Sequence, residues 1–325
     1  MANGQWYPPE WPDRVRALAA GELTPATPRR AATVMLLRDT GAPGTTGPGG
    51  TDAAPGTTGP PSITGAPETT GAPETSGTPG PQVHMLRRRT SMPFAGGAYA
   101  YPGGGVDPRD DDHHVRWAGP PRAAWATRLG LDGAAAQAVV CAAVRETFEE
   151  AGVLLAGPTP DTVVADTTGD DWEKDRVALV ARDLSFAEFL DRRGLVLRSD
   201  LLGAWARWIT PEFEPRRYDT FFFVAALPEG QRTRNASTEA ESTVWISPRR
   251  AAERYDRGEL LMMPPTIATL RQLSGCATAA AALAAAPDRD LAPVLARARI
   301  ADGELVLSWP GHEEFTKHVP TGDTA

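Results

Sequence analysis

The residues best suited to chemistry are three glutamates near the middle of the chain, Glu146, Glu149 and Glu150, within the string Arg-Glu-Thr-Phe-Glu-Glu-Ala-Gly-Val at 145–153. At about 100° per residue, the three carboxylates lie on one face of a helix. Like charges one turn apart destabilise a helix by roughly 0.2–0.5 kcal/mol per pair, so this face is costly unless a cation neutralises it. Carboxylate oxygens suit a hard cation such as Mg2+ or Mn2+. The string therefore predicts a metal-binding helix end, with a solvated acidic face as the alternative.

A helix over residues 133–151 must position these carboxylates. Val140, Val144 and Phe148 fall on the face opposite the acids and predict its buried side. Gly152 can adopt the left-handed conformation that ends a helix, and residues 153–155 then predict a strand. The acidic string is thus expected at a corner between a helix and a strand.

A second string, residues 92–107, ends in the glycine turn Gly103, Gly104 and Gly105. Together with the pattern Arg-Glu-x-x-Glu-Glu-x-Gly at 145–152, it resembles the box of the Nudix hydrolase family, a loop–helix–loop that holds divalent metal against a diphosphate. The spacing from Gly105 to Arg145 is much longer than in that box, and we interpret residues 107–133 as an insertion. Such an insertion resembles the acyl-CoA diphosphatase branch (nucleoside diphosphate-linked moiety X motif 19) and its bacterial relatives.

The resemblance implies roles for the matching residues. Glu146, Glu149 and Glu150 would hold the metal, and one of them would take a proton from the attacking water. Arg145 would orient a glutamate through an ion pair, and the glycine turn would let the backbone approach the phosphates. A further acid of the box is replaced by Gln137 here, so that acid is absent or is supplied by the insertion.

Other substrate-binding candidates lie downstream. Arg216 and Arg217 precede a strongly apolar strand and are candidates for diphosphate contact, because a guanidinium can bond two phosphate oxygens. The alternative is an ion pair of Arg217 with Asp219. Many Nudix enzymes take a further glutamate from outside the box, and Glu241 is favoured for this role over Glu239; a solvent-facing pair before a strand is the alternative.

Composition limits the partners and the location. The chain of 325 residues has a formal net charge of −8, which argues against a general nucleic-acid surface. Its two cysteines, Cys141 and Cys276, are too few for a disulfide framework and are typical of a reducing compartment. No signal peptide and no membrane-spanning run are visible. We therefore expect a cytoplasmic protein with a small-molecule nucleoside diphosphate substrate; the sequence does not indicate its oligomeric state.

The chain divides into an irregular N-terminal lead-in (1–29), a catalytic domain (30–275) and a C-terminal extension (276–325). Within the domain, residues 39–82 are rich in Gly, Pro and Thr and predict a disordered loop, because such a composition cannot bury a core. The strands on either side are expected to pair, which makes the loop a long hairpin connection. In the insertion, Asp110 to His114 is interpreted as an acidic surface loop, with a second metal site as the alternative, and the insertion is expected to border the substrate pocket.

The implied fold is the Nudix α/β/α sandwich, with a mixed sheet between the acidic helix and a helix near 266–273. The implied activity is metal-dependent hydrolysis of a nucleoside diphosphate derivative, with CoA or acyl-CoA giving (acyl-)phosphopantetheine and adenosine 3′,5′-bisphosphate. One alternative is a housecleaning hydrolase of nucleotide sugars, dinucleotides or oxidised nucleotides. Another is a non-catalytic Nudix module that binds a nucleotide.

Overall fold

The computed structural model describes residues 10–40, 80–92, 95–302, 304–309 and 312–318. Its helices are α1 (Trp11–Ala19), α2 (Arg122–Leu129), α3 (Gly133–Ala151), α4 (Asp170–Val180), α5 (Phe186–Arg192), α6 (Pro248–Asp256), α7 (Pro264–Leu273) and α8 (Ala279–Ala285). Its strands are β1 (Arg29–Asp39), β2 (Pro81–Arg88), β3 (Tyr99–Ala100), β4 (Gly103–Gly105), β5 (Trp117–Ala118), β6 (Ala156–Gly157), β7 (Val196–Arg198), β8 (Gly203–Ile209), β9 (Tyr218–Ala226), β10 (Ala240–Ile246), β11 (Val294–Leu295), β12 (Arg297–Ala301), β13 (Glu304–Trp309) and β14 (His312–His318).

The main sheet has the strand order β10-β2-β1-β9-β8-β11, with β3 paired to β2 and β4 paired to β1. Strand β1 runs parallel to β9 and antiparallel to β2, so the sheet is mixed, as predicted. Val34 and Leu36 of β1 belong to one buried apolar cluster, whereas Met35 and Leu37 belong to another. Because alternate side chains of a strand point to opposite faces, β1 is buried on both sides of the sheet.

Helices cover both faces of this sheet. The cluster that contains Val34 also holds the apolar faces of α2, α3 and α5. The cluster that contains Met35 holds α6, α7 and α8 together with Trp11 of α1. The predicted α/β/α sandwich is confirmed, with the acidic helix α3 on one face and α7 on the other.

Helix α3 begins and ends at residues that are typical helix caps. The Asp132 side chain caps the N-terminus by accepting from Ala135 N, and Gly152 closes the C-terminus at φ 70°. Residues 153–155 were predicted as a strand, and this was wrong. They lie in irregular chain that leads to the two-residue strand β6, which belongs to a small separate sheet, β5-β7-β6.

Both ends of the chain contain regular elements that were not predicted from the sequence. The lead-in was predicted to be irregular, but α1 forms there because Trp11 packs edge-on against Phe213 at 5.1 Å between ring centroids. Residues 1–9 lie outside the described part of the chain. In the C-terminal extension, three residues belong to the apolar cluster that contains Met35, namely Ala279, Ala282 and Trp309. Strand β11 of the extension also pairs with β8. The extension is therefore continuous with the core rather than a separate layer.

The strands around the Gly/Pro/Thr-rich segment pair as expected. Leu37 is opposite Val83 and Asp39 is opposite Pro81, and Thr40 Oγ1 donates to Gly80 O at 2.9 Å. Disorder was predicted for residues 39–82, and this was wrong at the ends of the range, where Asp39 belongs to β1 and Pro81 and Gln82 belong to β2; residues 41–79 lie outside the described residues. The two ends of that segment are adjacent, so the segment closes a hairpin.

Deleting residues 41–79, with Thr40→Asn, should leave the fold intact. The direct join would create a two-residue Asn-Gly connection between paired strands, which is the preferred composition of a type I′ hairpin. Because loop-closure free energy changes by only about 0.6 kcal/mol per doubling of length, the free energy of unfolding should change little. Urea denaturation beside the full-length Thr40→Asn chain checks this; a loss of several kcal/mol would show that the segment contributes to the core.

His84 is a buried titratable residue in the middle of the sheet. Its side chain is fully buried on β2, and neither ring nitrogen has a hydrogen-bond partner in the described structure. Burial, and secondarily the charge of Arg38, lower the pKa of His84 to about 4. The folded protein therefore keeps this ring neutral at pH values where an unfolded chain would protonate it.

This difference makes the stability of the protein pH-dependent. In the unfolded chain, His84 is protonated as pH falls below the ordinary histidine pKa of about 6.5. In the folded chain, His84 stays neutral until pH approaches 4, so protonation favours the unfolded state between these values. The resulting loss should reach about 2 kcal/mol at pH 5. His84→Phe should remove this loss, as measured by urea unfolding at pH 7.5 and pH 5. Equal pH dependence in the variant and the wild type would contradict the assignment.

Candidate active site

The glycine turn lies directly against the acidic face of α3. Gly103 N donates to Glu150 Oε2 at 2.8 Å. A Cβ added to Gly104 would lie 2.5 Å from Glu146 Oε1, so a larger residue would collide with that carboxylate. Strand β4 (Gly103–Gly105) is held in place by its antiparallel pairing with β1. The two strings that carry the family resemblance thus form one contact surface.

Arg145 is the buried cation at the centre of this surface. Its Nη1 donates to Glu146 Oε1 at 2.8 Å and to Glu149 Oε1 at 3.1 Å. On its other side, Nε and Nη2 donate to the two oxygens of Asp110 at 3.1 and 3.0 Å, and Nη2 also donates to Gly105 O at 2.9 Å. One guanidinium therefore joins the acidic helix, the glycine turn and the insertion.

The prediction of an acidic surface loop was wrong for Asp110. Its side chain is only 2% exposed, because the 3-10 turn Pro108–Asp111, capped by Asp107, directs it inward to Arg145. Its neighbour Asp111 is exposed, as predicted. Gln137, which occupies the position of the missing box acid, instead bonds Arg122 and the backbone of the insertion. The insertion therefore supplies a carboxylate to the box helix.

Burial determines the electrostatics of the three glutamates. It raises the pKa of Glu146 to about 7 and that of Glu150 to about 8, and it also raises the pKa of Glu149. The charge of Arg145 acts in the opposite direction on Glu146 and Glu149. The positive charge near these carboxylates is therefore too small to offset the cost of burying them in the ionised form. Their donor type and their charge deficit fit a hard divalent cation.

The glutamates are not gathered into a tight triad. In the part of the chain that the structure describes, the one group of three metal-type ligands within 4.8 Å of one another is Asp112, His113 and His114 in the insertion. That group lies near the surface, and His114 Nδ1 is 2.8 Å from Asp112 Oδ1. Exposed groups of this kind are common without an ion. At the box, the Arg145 guanidinium bridges Glu146 and Glu149 instead.

A cavity of about 120 Å³ opens beside Glu146 and Glu149. It lies between the start of the insertion, helix α3 and the connection from α4 to α5. Its lining residues are Gly105, Asp107, Arg109, Asp110, Arg145, Glu146, Glu149, Leu179, Val180, Arg182, Leu184 and Phe186. The insertion therefore borders a cavity that reaches two of the predicted metal ligands.

The two arginines before β9 do not line this cavity. Arg217 is buried, and its guanidinium donates to Thr210 O at 3.0 Å and Ala26 O at 2.8 Å. The alternative pair with Asp219 was wrong, because Asp219 is held by two hydrogen bonds from Arg207 across β8 and β9. Arg216 is exposed. Diphosphate contact by these arginines stays a prediction.

Glu239 and Glu241 are both exposed at the start of β10, and a role for Glu241 in the site stays a prediction. Glu241 is exposed at an irregularity of β10 and lies 3.7 Å from Arg87 Nη1. Glu239 is close enough for its charge to raise the pKa of Glu150. Ser237, which no pattern in the sequence singled out, donates from Oγ to Glu150 Oε1 at 3.1 Å. The loop before β10 therefore reaches the acidic helix through Ser237 and Glu239.

Comparison with known proteins gives consistent matches. The family model NUDT19 Nudix domain matches residues 131–273. Acyl-coenzyme A diphosphatase NUDT19 of Gallus gallus is 30% identical over 154 residues, which is 41% of this chain and 39% of that protein. The Homo sapiens protein of the same name is 32% identical over 151 residues, or 43% of this chain and 39% of that protein. The chain thus spans about two-fifths of the length of these relatives.

A solved structure gives the same fold. A NUDIX hydrolase from Alicyclobacillus acidocaldarius superposes with a TM-score of 0.58 at 24% identity, covering 82% of this chain and 99% of that one. Both halves of the box are packed together in this sandwich, so the chain has the fold of a Nudix hydrolase. The matches support a Nudix hydrolase of the NUDT19 branch, and the NUDT19 domain model spans α3 to α7 of this chain. No helix among the described residues is long and apolar enough to cross a membrane.

The contact of Asp110 with Arg145 can be tested by comparing two neighbouring aspartates. Asp110→Asn should lower the free energy of unfolding by roughly 2–4 kcal/mol, because the buried guanidinium of Arg145 loses one of its charged partners. The loss is partial, since Glu146 and Glu149 still contact Arg145. The exposed Asp111→Asn should stay within about 0.5 kcal/mol of the wild type. Urea unfolding of both variants at pH 7.5 gives the comparison. Similar values for both variants would show that Asp110 is not needed by Arg145.

Proposed function

We propose that this protein hydrolyses the diphosphate linkage of a nucleoside diphosphate derivative, with CoA or acyl-CoA as the substrate. The products would be (acyl-)phosphopantetheine and adenosine 3′,5′-bisphosphate. The observation that carries the proposal is the placement of Glu146 and Glu149: Glu149 is buried, Glu146 is largely buried, both are bonded to Arg145, and both lie at a cavity beside the glycine turn. This arrangement brings carboxylate ligands next to backbone that phosphates can approach.

Nudix hydrolases generally use divalent metals, and the carboxylates here fit one. Glu146, Glu149 and Glu150 would hold Mg2+ or Mn2+, because their oxygen donors match these ions and their burial leaves negative charge to be neutralised. When bound, the metal neutralises the diphosphate and lowers the pKa of the attacking water.

Residues of the chain orient the carboxylates and accept a proton. Arg145 fixes the direction of the Glu146 and Glu149 carboxylates through its paired hydrogen bonds. One of the three glutamates accepts the proton of the attacking water. Glu150 is held separately, between Gly103 N and Ser237 Oγ, so its orientation depends on the glycine turn and on the loop before β10.

The substrate assignment is supported by the acyl-coenzyme A diphosphatases that this chain resembles over about two-fifths of its length. The net charge of −8 supports a small-molecule substrate rather than nucleic acid. Both cysteines are free, which supports a reducing, cytoplasmic location. Substrate contact by Arg216, Arg217, Glu241 or Glu239 is part of the proposal.

Product analysis tests the chemistry and the site together. The purified protein, with Mg2+ or Mn2+, is given CoA, acyl-CoA, NADH, ADP-sugars and nucleoside triphosphates, and the products are identified by mass spectrometry. Adenosine 3′,5′-bisphosphate should form from CoA. Glu149→Gln and Glu150→Gln should each lower its rate of formation by about 10²–10⁴-fold, because a metal ligand or proton acceptor is lost.

The matched control is Glu253→Gln, which changes an exposed glutamate of α6 and should leave the rate unchanged. Circular dichroism confirms that each variant is folded. Undiminished CoA cleavage in both box variants would remove the acidic helix from the mechanism. If the main products come from another substrate, the proposal of a hydrolase stands, but its substrate is a housecleaning substrate instead of CoA. Nucleotide binding without any cleavage would indicate a non-catalytic module.

A further inference from the structure

Arg182 has an unusual backbone conformation just after helix α4. Its φ is 63°, in the left-handed region, and the following amide, Asp183 N, donates back to Ala178 O at 2.9 Å. Glycine is the usual residue at this position of a helix end, because any Cβ is strained there. An arginine in this conformation is therefore retained at a cost to stability, which suggests that its side chain has a role.

Arg182 is exposed and is one of the residues that line the cavity beside Glu146 and Glu149. The other two cations of the cavity wall are already bonded to acids. Arg109 donates to both carboxylate oxygens of Asp107 at 3.0 Å, and Arg145 is held by three carboxylates. Among the residues that the structure describes, none forms an ion pair with Arg182. It is therefore the cation of this cavity wall that is available to an anion.

The cavity is suited to part of a ligand rather than to a whole one. Its volume of about 120 Å³ is below the roughly 300–1,000 Å³ typical of small-molecule pockets. Glu146 and Glu149 of α3 line the same small space as Arg182. A planar guanidinium can donate two parallel hydrogen bonds to a phosphate, which a metal-binding carboxylate cannot do.

We propose that Arg182 binds a phosphate group of the substrate in the cavity beside Glu146 and Glu149. The inference rests on the proposed function and adds to it a phosphate-binding residue outside the Nudix box. Glycine at this position would relieve the backbone strain but would remove the cation. The two possible sources are the diphosphate that is cleaved and a further phosphate elsewhere on the substrate, such as the 3′-phosphate of CoA.

The test compares Arg182→Gly and Arg182→Lys with the wild type. Arg182→Gly should lower kcat/KM for CoA by about 10–100-fold, mainly through KM, because charge-assisted hydrogen bonds are lost. Arg182→Lys should recover part of this loss, since it keeps the charge but not the bidentate geometry. The thermal midpoint of Arg182→Gly should rise by roughly 1–3 °C as the strain is relieved. A structural role alone would predict the opposite shift in stability.

Asp302→Gly is the matched control. Asp302 is exposed, also has a left-handed backbone with φ 51°, and lies between β12 and β13, away from the cavity wall. This variant should gain stability in the same way and keep wild-type kinetics. Equal kcat/KM in Arg182→Gly and the wild type on every substrate would overturn the inference. An Arg182→Gly variant that loses activity and thermal stability together, with no recovery by lysine, would also overturn it.

Two substrates distinguish the source of the phosphate. A loss confined to CoA, with 3′-dephospho-CoA cleaved normally, would identify the 3′-phosphate as the partner of Arg182. An equal loss on both substrates would identify the diphosphate.

Calorimetric titration with α,β-methylene-ADP and Mg2+ separates this inference from the proposed function. If the wild type cleaves CoA, and Arg182→Gly binds and cleaves as well as the wild type, only the role of Arg182 fails. If the wild type cleaves nothing but binds the analogue at least about tenfold more tightly than Arg182→Gly does, hydrolysis fails and the phosphate contact stands. A wild type that neither binds nor cleaves overturns both.

Discussion

The buried guanidinium of Arg145 is the interaction on which the site depends. Its partners come from three parts of the chain: Asp110 from the insertion, Gly105 from the glycine turn, and Glu146 and Glu149 from its own helix. Removing a partner from a buried charge is expensive, because the remaining charge is left uncompensated. The insertion separates the two halves of the box by many residues, but it is tied to the box by a buried ion pair with two hydrogen bonds.

The sheet gives this network a fixed base. Strand β4 pairs with β1, and α3 packs on the same face of the sheet through Val140, Val144 and Phe148. The glycine turn and the acidic face are thus held by separate contacts with one buried strand. The same packing removes water from the glutamates, and this burial is the largest cause of their raised pKa values. Core formation and the electrostatics of the site have a common origin.

Local patterns in the sequence predicted several of the elements, but not all of their partners. Helix α3 and its glycine end were predictable because periodicity and capping are encoded in neighbouring residues. The inward direction of the Asp110 side chain was not predictable, because a run of aspartates looks the same in sequence whether it is solvent-exposed or one of its members is bonded to a buried arginine. The Arg207–Asp219 contact depends on the register of β8 against β9, which no single segment specifies. Likewise, α1 is stabilised by Phe213, far along the chain, so its own sequence looked irregular.

The parallel pairing of β1 with β9 also has a consequence for how the protein folds during synthesis. Residues near position 30 pair with residues near position 220, so the central strand leaves the ribosome long before its partner exists. At about 5–20 residues per second, the delay is roughly 10–40 s. Meanwhile, β1 can pair only with β2 and β4, and its other edge presents unpaired backbone groups. The nascent chain therefore passes through a period in which the free edge of β1 is open to aggregation, and chaperone binding would matter most at that stage.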